Sequence, residues 1–465
     1  MTAYRVTRLF GTIALLSVLA TTLTGCATYS ESFGAIERNL ATRQYDAALQ
    51  DIEKQSRSKT DRVLYLLNKG MVLRMKHDFS GSNQALEAAK AEMERLYAAS
   101  VSENALSFVV NDATVSYAGD DYEQVLLHLY MALNYLELKQ PYEARVEALQ
   151  VDIKLREIGE KFPVDKFTED ALSRYLTGLI YEDLGEWSDA MIAYRKAYEA
   201  YKKYQVNFGL PMPDMLKHDL LRLAQRQGLK DEVTQYRKEF DIEPEPEESR
   251  AREQEGELVF VLNNGLAPIK REKIIGATAP PPSVVMGAAT PHKHITPAPP
   301  IVVNIALPYY ESRSNKVLSA RVSVSGKQSS TQMMENIDAI ARASLDSRMP
   351  AITARSVARA VAKGAIQESV DRAGNKNDND LAAAALLSSF VVRVAAIATE
   401  RADTRSWLTL PANVQLARLA LPPGSYTVTV DLLGAGEHII ATQEYPEVVI
   451  NKKRKTYLTQ HWVVN

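Results

Sequence analysis

One cysteine, Cys26, is the only thiol in the 465 residues, and it ends the segment Leu23-Thr24-Gly25-Cys26. A thiol is a nucleophile, and small residues before it let the chain lie extended in a processing site. A lone cysteine excludes internal disulfides, zinc sites built on two or more cysteines, and cysteine-ligated iron–sulfur clusters. Other residue types with catalytic chemistry are scattered. The histidines His77, His128, His218, His292, His294, His438 and His461 form no HExxH, and His292-Lys293-His294 offers two ligands in a loop, a poor site. Gly326-Lys327 is followed by Gln328 and lacks the glycines of a phosphate-binding loop, and no GxSxG occurs. Asp371–Asp380 is rich in oxygen ligands but lacks the glycine and closing glutamate of a calcium loop. No catalytic residue, metal site or cofactor is therefore expected.

The elements around Cys26 explain its presence. Met1 to Arg8 carries Arg5 and Arg8 and no acid, and Leu9 to Leu23 is apolar or small. That is a basic start followed by an apolar run too short, and wrongly flanked, for a spanning helix in the mature protein. Ending in Leu-Thr-Gly-Cys, the segment resembles the lipobox of bacterial lipoproteins. The resemblance implies a diacylglyceryl group on the Cys26 sulfur, cleavage between Gly25 and Cys26, and acylation of the new amino group. Two or three acyl chains anchor stably at ~0.8 kcal/mol per buried CH2. Ala27, not Asp, follows the cysteine. In Gram-negative lipoproteins this implies the outer membrane, periplasmic face. A formal net charge of −2 argues against a dedicated nucleic-acid binder.

From about Ser30 to Phe240 the pattern is helical, and fifteen of the 22 tyrosines fall between Tyr45 and Tyr236. Gly178, Tyr181, Ala190, Tyr194 and Ala197 carry the small–aromatic–Ala–aromatic–Ala spacing of tetratricopeptide repeats, which this half resembles. Gly178 and Ala190 are small where two helices cross, Tyr181 and Tyr194 fill the gap, and Gly185 suits a left-handed cap between them. Weaker copies centre on Ala132/Tyr135/Ala144/Ala148 and Gly70/Leu73/Leu86/Ala89. Tyr45-Asp46-Ala47 suggests a degenerate first unit, and Asp214–Gln227 with Lys230–Phe240 a closing pair. Stacked helix pairs leave a concave face that usually takes a peptide or partner helix. On it the candidate partner-binding side chains are Asn68, Arg74, Tyr130, Tyr175 and Glu182.

An acidic, Pro-containing linker over 241–256 separates a different texture. Glu257–Leu262 is a buried-strand run stopped by Asn263-Asn264-Gly265. Ile301–Leu307 and Ala320–Val324 predict strands, and Gly276–Pro300, with seven prolines, predicts an extended loop. Glu335 to about Val370 predicts helix, with Pro350 placed at a helix start. Further strands are predicted at Val414–Leu419, Ser425–Leu433, His438–Gln443, Val448–Asn451 and Thr456–Val464, with Tyr426, Val428 and Val430 on one face. Leu381–Thr399 is long enough to span a bilayer, but Arg393 within it would cost ~2.5–3.5 kcal/mol, so a buried or partner-covered helix is expected.

The fold class is thus α followed by α+β. A tetratricopeptide-like α-solenoid over 26–240, after a signal segment at 1–25, precedes a mixed domain over 257–465. That domain has an antiparallel sheet or sandwich and two or three helices. The whole resembles a family of uncharacterised Gram-negative outer-membrane lipoproteins. The residues that carry this are Tyr117–Glu123 before Ala132–Leu136, Asn264–Pro268, and Ala402-Asp403-Thr404-Arg405-Ser406-Trp407 continuing to Leu410-Pro411. The family implies architecture and location and no activity. Asp403, Arg405 and Trp407 are the second candidate cluster, for loop ordering or recognition. The expectation is a non-enzymatic, lipid-anchored adaptor of envelope assembly that binds a periplasmic protein. Regulation of peptidoglycan synthesis is one version. Two rivals remain: an envelope enzyme in which Asp403, Arg405 and a histidine meet in one cleft, and a subunit of a larger outer-membrane complex touching Leu381–Thr399.

Overall fold

The computed structural model describes residues 29–102, 115–161, 167, 169–242, 254–279, 301–374 and 401–463. Gly25 and Cys26, most of the acidic linker, the stretch 280–300, His292, His294 and Leu381–Thr399 lie outside them. Among the described residues no helix is long and apolar enough to cross a membrane.

A short helix α1 (Tyr29–Ser32) leads into five antiparallel helix pairs. They are α2 (Gly34–Ala41) with α3 (Tyr45–Gln55), α4 (Arg62–Met75) with α5 (Phe79–Ser102), and α6 (Asp121–Glu137) with α7 (Pro141–Lys161). Then come α8 (Ala171–Asp183) with α9 (Trp187–Phe208), and α10 (Asp214–Arg226) with α11 (Lys230–Phe240). One turn serves all five. The second residue after each first helix, Arg43, His77, Lys139, Gly185 or Gly228, has φ between 57° and 78°. The next N–H then bonds back five residues: Gln44 to Asn39, Asp78 to Leu73, Gln140 to Tyr135, Glu186 to Tyr181, Leu229 to Ala224, at 2.7–2.9 Å. This is the Schellman closure, which satisfies carbonyls that the helix end leaves free.

Inside the pairs, close approach sets residue size. A Cβ on Gly178 would lie 2.3 Å from the Tyr194 ring, and one on Gly70 would lie 2.8 Å from Leu86. Tyr194 in turn packs 5.6 Å from Tyr175.

The second half forms two four-stranded sheets and a ribbon. The first sheet has the order β10 (Lys455–Trp462), β1 (Gly256–Asn264), β7 (Asn413–Leu421), β6 (Gln332–Asn336). The second runs β5 (Lys327–Ser330), β4 (Ser319–Val324), β8 (Gly424–Leu433), β9 (Ile439–Ile450). β2 (Ile269–Ala279) pairs with β3 (Ile301–Glu311).

Strand β1 shows why its sequence is continuously apolar. Leu258, Phe260 and Leu262 pack with Val322, Val324, Val428, Val430 and Leu432 between the two sheets. Val259 and Val261 point the other way, into the core that the sheet shares with the helices. The order of layers is therefore helices, first sheet, second sheet, and one apolar core crosses the boundary between the two halves of the chain.

Several predicted elements differ in detail. The sandwich is not wholly antiparallel, because β1 pairs with β10 in parallel. His438–Gln443 and Val448–Asn451 belong to the single strand β9. Gly276 begins no loop; it continues β2. Glu335 is in β6, and helix α12 (Ile337–Gly374) starts after it, with Asn336 accepting the Ala339 N–H at 3.0 Å. Pro350 lies inside α12 rather than at a start. Tyr426, Val428 and Val430 do share a face, the alternation falling as predicted.

Candidate functional site

The side of the helix pairs that meets the second half of the chain carries a dense set of polar contacts, and it is closed. The five predicted partner-binding side chains sit there, buried. Asn68, Tyr130 and Tyr175 are 0 % exposed, Arg74 is 3 % exposed, and the Glu182 side chain is 10 % exposed. The expectation of an open partner surface is corrected here. The occupant of the face is the chain's own second half, and each of the five reaches a residue of it directly or through a shared partner.

Around Trp407 the contacts are short. The Trp407 N–H donates to Glu123 Oε1 at 2.7 Å. Its indole N–H donates to Thr409 Oγ1 at 3.1 Å, and Thr409 donates from both N–H and hydroxyl to Asn68 Oδ1, at 3.2 and 2.9 Å. The Trp407 ring meets Tyr130 edge-on at 6.2 Å. The Tyr130 hydroxyl donates to Asn263 at the end of β1, 3.0 Å away. Arg74 donates to Thr459 on β10 at 3.0 Å and to Asn134.

Arg405 grips Asp403 with two parallel bonds of 2.9 and 2.8 Å, and reaches back to Asp61 at 3.2 Å and the Val115 carbonyl at 2.8 Å. Asp403, Arg405 and Trp407 therefore order a loop and lock it onto the helices.

Sequence reasoning missed the carboxylates that receive this loop. Glu123 accepts from the Tyr117 hydroxyl at 2.6 Å and the Asp120 N–H at 3.1 Å, besides Trp407. Burial, then the neighbouring Asp120 charge, push its carboxyl up to about 7. Asp120 is equally buried, yet Arg348 and Lys270, at 2.8 and 3.1 Å, outweigh the desolvation and hold it below the usual range. Lys270 also donates to the Arg405 carbonyl at 2.9 Å, tying β2 to the same loop. The spacing Asp120-x-x-Glu123 before an apolar run is a helix-start signal, and it was the available clue.

A second cluster joins α8 and α10 to β1, β7 and β10. Arg418 binds Glu257 with two bonds of 2.8 and 2.9 Å, and also Asp219 and Tyr175. Arg222 bridges Glu182 and Asp219, each at 2.8 Å. Lys455 meets Glu257 at 2.5 Å and Glu182 at 3.5 Å. Burial works against the carboxylates, but these cations win, and Glu182, Asp219 and Glu257 are all held low. A single arginine in the apolar strand sequence Gln415-Leu416-Ala417-Arg418-Leu419 was the signal here, because a cation in a buried strand needs a partner.

A third contact is acid-rich. Glu335 on β6 accepts from Tyr204 at 3.0 Å and from the Leu172 N–H at 3.4 Å. Burial and then Asp170 raise it well above the ordinary carboxyl range. Asp170 accepts the Ser173 N–H at 2.6 Å, and burial raises its carboxyl to about 6.

Among the described residues no group of three or more His, Cys, Asp and Glu is placed to hold a metal. The arrangement supports chemistry of attachment: three polar clusters fix one half of the chain against the other.

No family model and no curated protein matches this chain. Among solved structures, it is similar to one described as the crystal structure of MamA, at 14% identity over 44% of this chain and 90% of that one, TM-score 0.28. A second, the crystal structure of MamA protein, gives 13% identity over 46% of this chain and 96% of that one, TM-score 0.28. At these values the likeness supports no conclusion about activity or partner.

Proposed function

We propose that the chain is a lipid-anchored lipoprotein of the outer membrane, facing the periplasm, and a non-enzymatic adaptor in envelope assembly. Its tetratricopeptide-like array is filled on the inner side by its own second half and meets a protein partner on the outer side. One observation carries this reading. Helix α7 leaves Tyr142, Val146, Leu149 and Ile153 exposed, at 64, 52, 43 and 44 %. They stand at i, i+4, i+7 and i+11, the seam along which one helix packs on another. The row is about 17 Å long at ~1.5 Å per residue. The partner it suits is a helix with a matching apolar stripe, and the machinery of peptidoglycan synthesis is the class of partner we favour.

Photocrosslinkers at Val146 and Ile153 in the full-length lipidated protein test this in intact cells. Both positions are expected to give the same adduct with one helical periplasmic protein, lost on Leu149→Glu. Absence of that adduct, or its survival in Leu149→Glu, overturns the surface. Crosslinkers at Arg74 or Tyr130 are expected to give only products within the chain. The anchor is tested separately: Cys26→Ser should release the protein from the outer-membrane fraction, and retention there refutes lipidation.

A further inference from the structure

A cleft of about 290 Å³ lies where the array meets the edge strand β10. The turn after α2 and the turn after α4 form its mouth, and β1, β9 and β10 supply its floor. Its charged walls are of one sign. Arg43, Arg74 and Lys76 line it, and no carboxylate is among the described residues that do. Arg43 and Lys76 are exposed at the mouth, and Arg74 is buried deeper.

The floor is polar and unfinished. Four of the side chains lining the cleft each carry a buried atom with no hydrogen-bond partner: Arg74 Nε, Asn263 Nδ2, Gln460 Oε1 and His461 Nδ1. Buried polar atoms are normally paired, by protein or by water, so four on residues of one cleft leave hydrogen-bonding capacity for a polar guest. His461 is neutral, since burial lowers its pKa to about 4. Its Nε2–H donates to the Gly265 carbonyl at 3.0 Å, which leaves Nδ1 as an acceptor. The residues of the floor thus carry two spare donors, on Arg74 and Asn263, and two spare acceptors, on Gln460 and His461.

Arg74 makes the case for an anion. Its guanidinium donates to two neutral groups, Asn134 and Thr459. Its nearest acid, Glu137, bonds Thr459 and does not line the cleft. Lys76 is paired with Asp46 at 2.6 Å, but both are exposed and such pairs exchange easily. A buried guanidinium without a contacting anion is costly, and a ligand's charge would relieve it.

Size and surface narrow the ligand. The space equals on the order of ten water volumes at ~30 Å³ each, which fits one six-membered sugar. Tyr45, Phe79 and Tyr445 also line it, the aromatic surface that packs against the C–H face of such a ring, with the Arg74 guanidinium lying over the Phe79 ring. A sugar's hydroxyls both donate and accept, as the floor requires. We infer that this cleft binds an anionic monosaccharide, a sugar acid or sugar phosphate, and that both halves of the chain must be docked for the site to exist.

The test is calorimetric titration of the full mature protein in detergent with four probes: glucuronate, glucose 6-phosphate, glucose and inorganic phosphate. Saturable binding of glucuronate or glucose 6-phosphate is expected, at least tenfold tighter than glucose or inorganic phosphate. The response to the acid against the phosphate distinguishes the two sources of charge. Arg43→Gln, at an exposed position, should weaken that binding about tenfold. Trp462, under the Arg43 guanidinium at 4.7 Å, should change its fluorescence on binding. Failure of both anionic sugars to bind overturns the inference. So does glucose or inorganic phosphate binding as tightly as they do, or an unchanged affinity in Arg43→Gln.

Discussion

Replacing Arg418 with methionine strikes the seam between the two halves at its most connected cation. Methionine keeps most of the volume and removes one charge. The cluster holds three acids, Glu182, Asp219 and Glu257, and three bases, Arg222, Arg418 and Lys455, joined by the contacts described above. It is neutral as a whole. Loss of Arg418 leaves one uncompensated negative charge where the Asp219 side chain is 1 % exposed. Neither carboxylate is stripped bare, because Asp219 retains Arg222 and Glu257 retains Lys455. The cost therefore falls at the low end of the range for a broken buried pair, about 3 kcal/mol. Adding Asp219→Asn restores neutrality, so the double variant should recover about 1–3 kcal/mol of that loss relative to additivity. Urea unfolding followed by circular dichroism measures all four corners of the cycle. A single-variant loss below about 1 kcal/mol at unchanged m-value, or strict additivity, would refute the view that this cluster clamps the halves together.

Two glycine substitutions separate crowding from backbone strain. Gly178→Ala forces a Cβ into the Tyr194 ring and should cost about 1–2 kcal/mol even after the gain in helix propensity, whereas an unchanged urea midpoint would mean the helices can part there. Gly185→Ala meets no atom within 4 Å but keeps φ at 78°, so a loss of about 1 kcal/mol is expected from the backbone alone. Stability should also fall as pH rises from about 6.5 to 8. Glu123, raised to about 7, and Glu335, also raised, hold protons in the folded state that the unfolded chain has already released. Their contribution is complete below the unfolded carboxyl range and is lost as pH passes their folded values. His461, lowered to about 4, acts in the opposite sense but only below its unfolded pKa, so it leaves this window alone. Glu123→Gln should flatten the decline in a pH series of urea midpoints, and a slope equal to wild type would show that Glu123 is ionised throughout.

How much of this was legible in the sequence depends on the range of the interaction. That Gly178 is small at a helix crossing filled by Tyr194 follows from spacing within one helix pair and was readable, although the group it meets is the Tyr194 ring rather than Ala190. So was the left-handed turn at Gly185. The equivalent turns at Arg43, His77 and Lys139 carry no glycine, so composition hid a repeat that the hydrogen bonds make plain. The two-sided burial of β1 was visible in its unbroken apolar run. Its parallel pairing with β10 was not, because it joins Glu257 to Lys455 across nearly the whole second half. Pro350 misled for a local reason: proline favours helix starts, and nothing nearby in sequence showed that α12 runs through it. A concave face was expected from the repeat spacing, and Asn68, Arg74, Tyr130, Tyr175 and Glu182 were read as side chains for an outside partner. Sequence shows that such a side chain needs a partner, but not that the partner lies up to 385 residues away in the same chain, as Thr459 does from Arg74.

That distinction decides where an outside protein can act. An apolar seam could be traded for another apolar surface with little selectivity. Besides the shared apolar core, this seam holds directed bonds, most of them charge-assisted, that fix one register: Asn68 to Thr409, Arg74 to Thr459, Tyr175 and Asp219 to Arg418, Glu182 to Lys455, and Glu123 to Trp407. A competitor that covered one side without matching its charges would leave them buried and unpaired, at about 3–5 kcal/mol for each pair left incomplete. Two or three such losses equal the whole stability of an ordinary domain, about 5–15 kcal/mol. A competitor would have to supply all the replacement bonds at once, in the same geometry. The face predicted for a partner therefore does its binding within the chain, and the partner we propose is left with the opposite surface, where α7 keeps its apolar row in solvent.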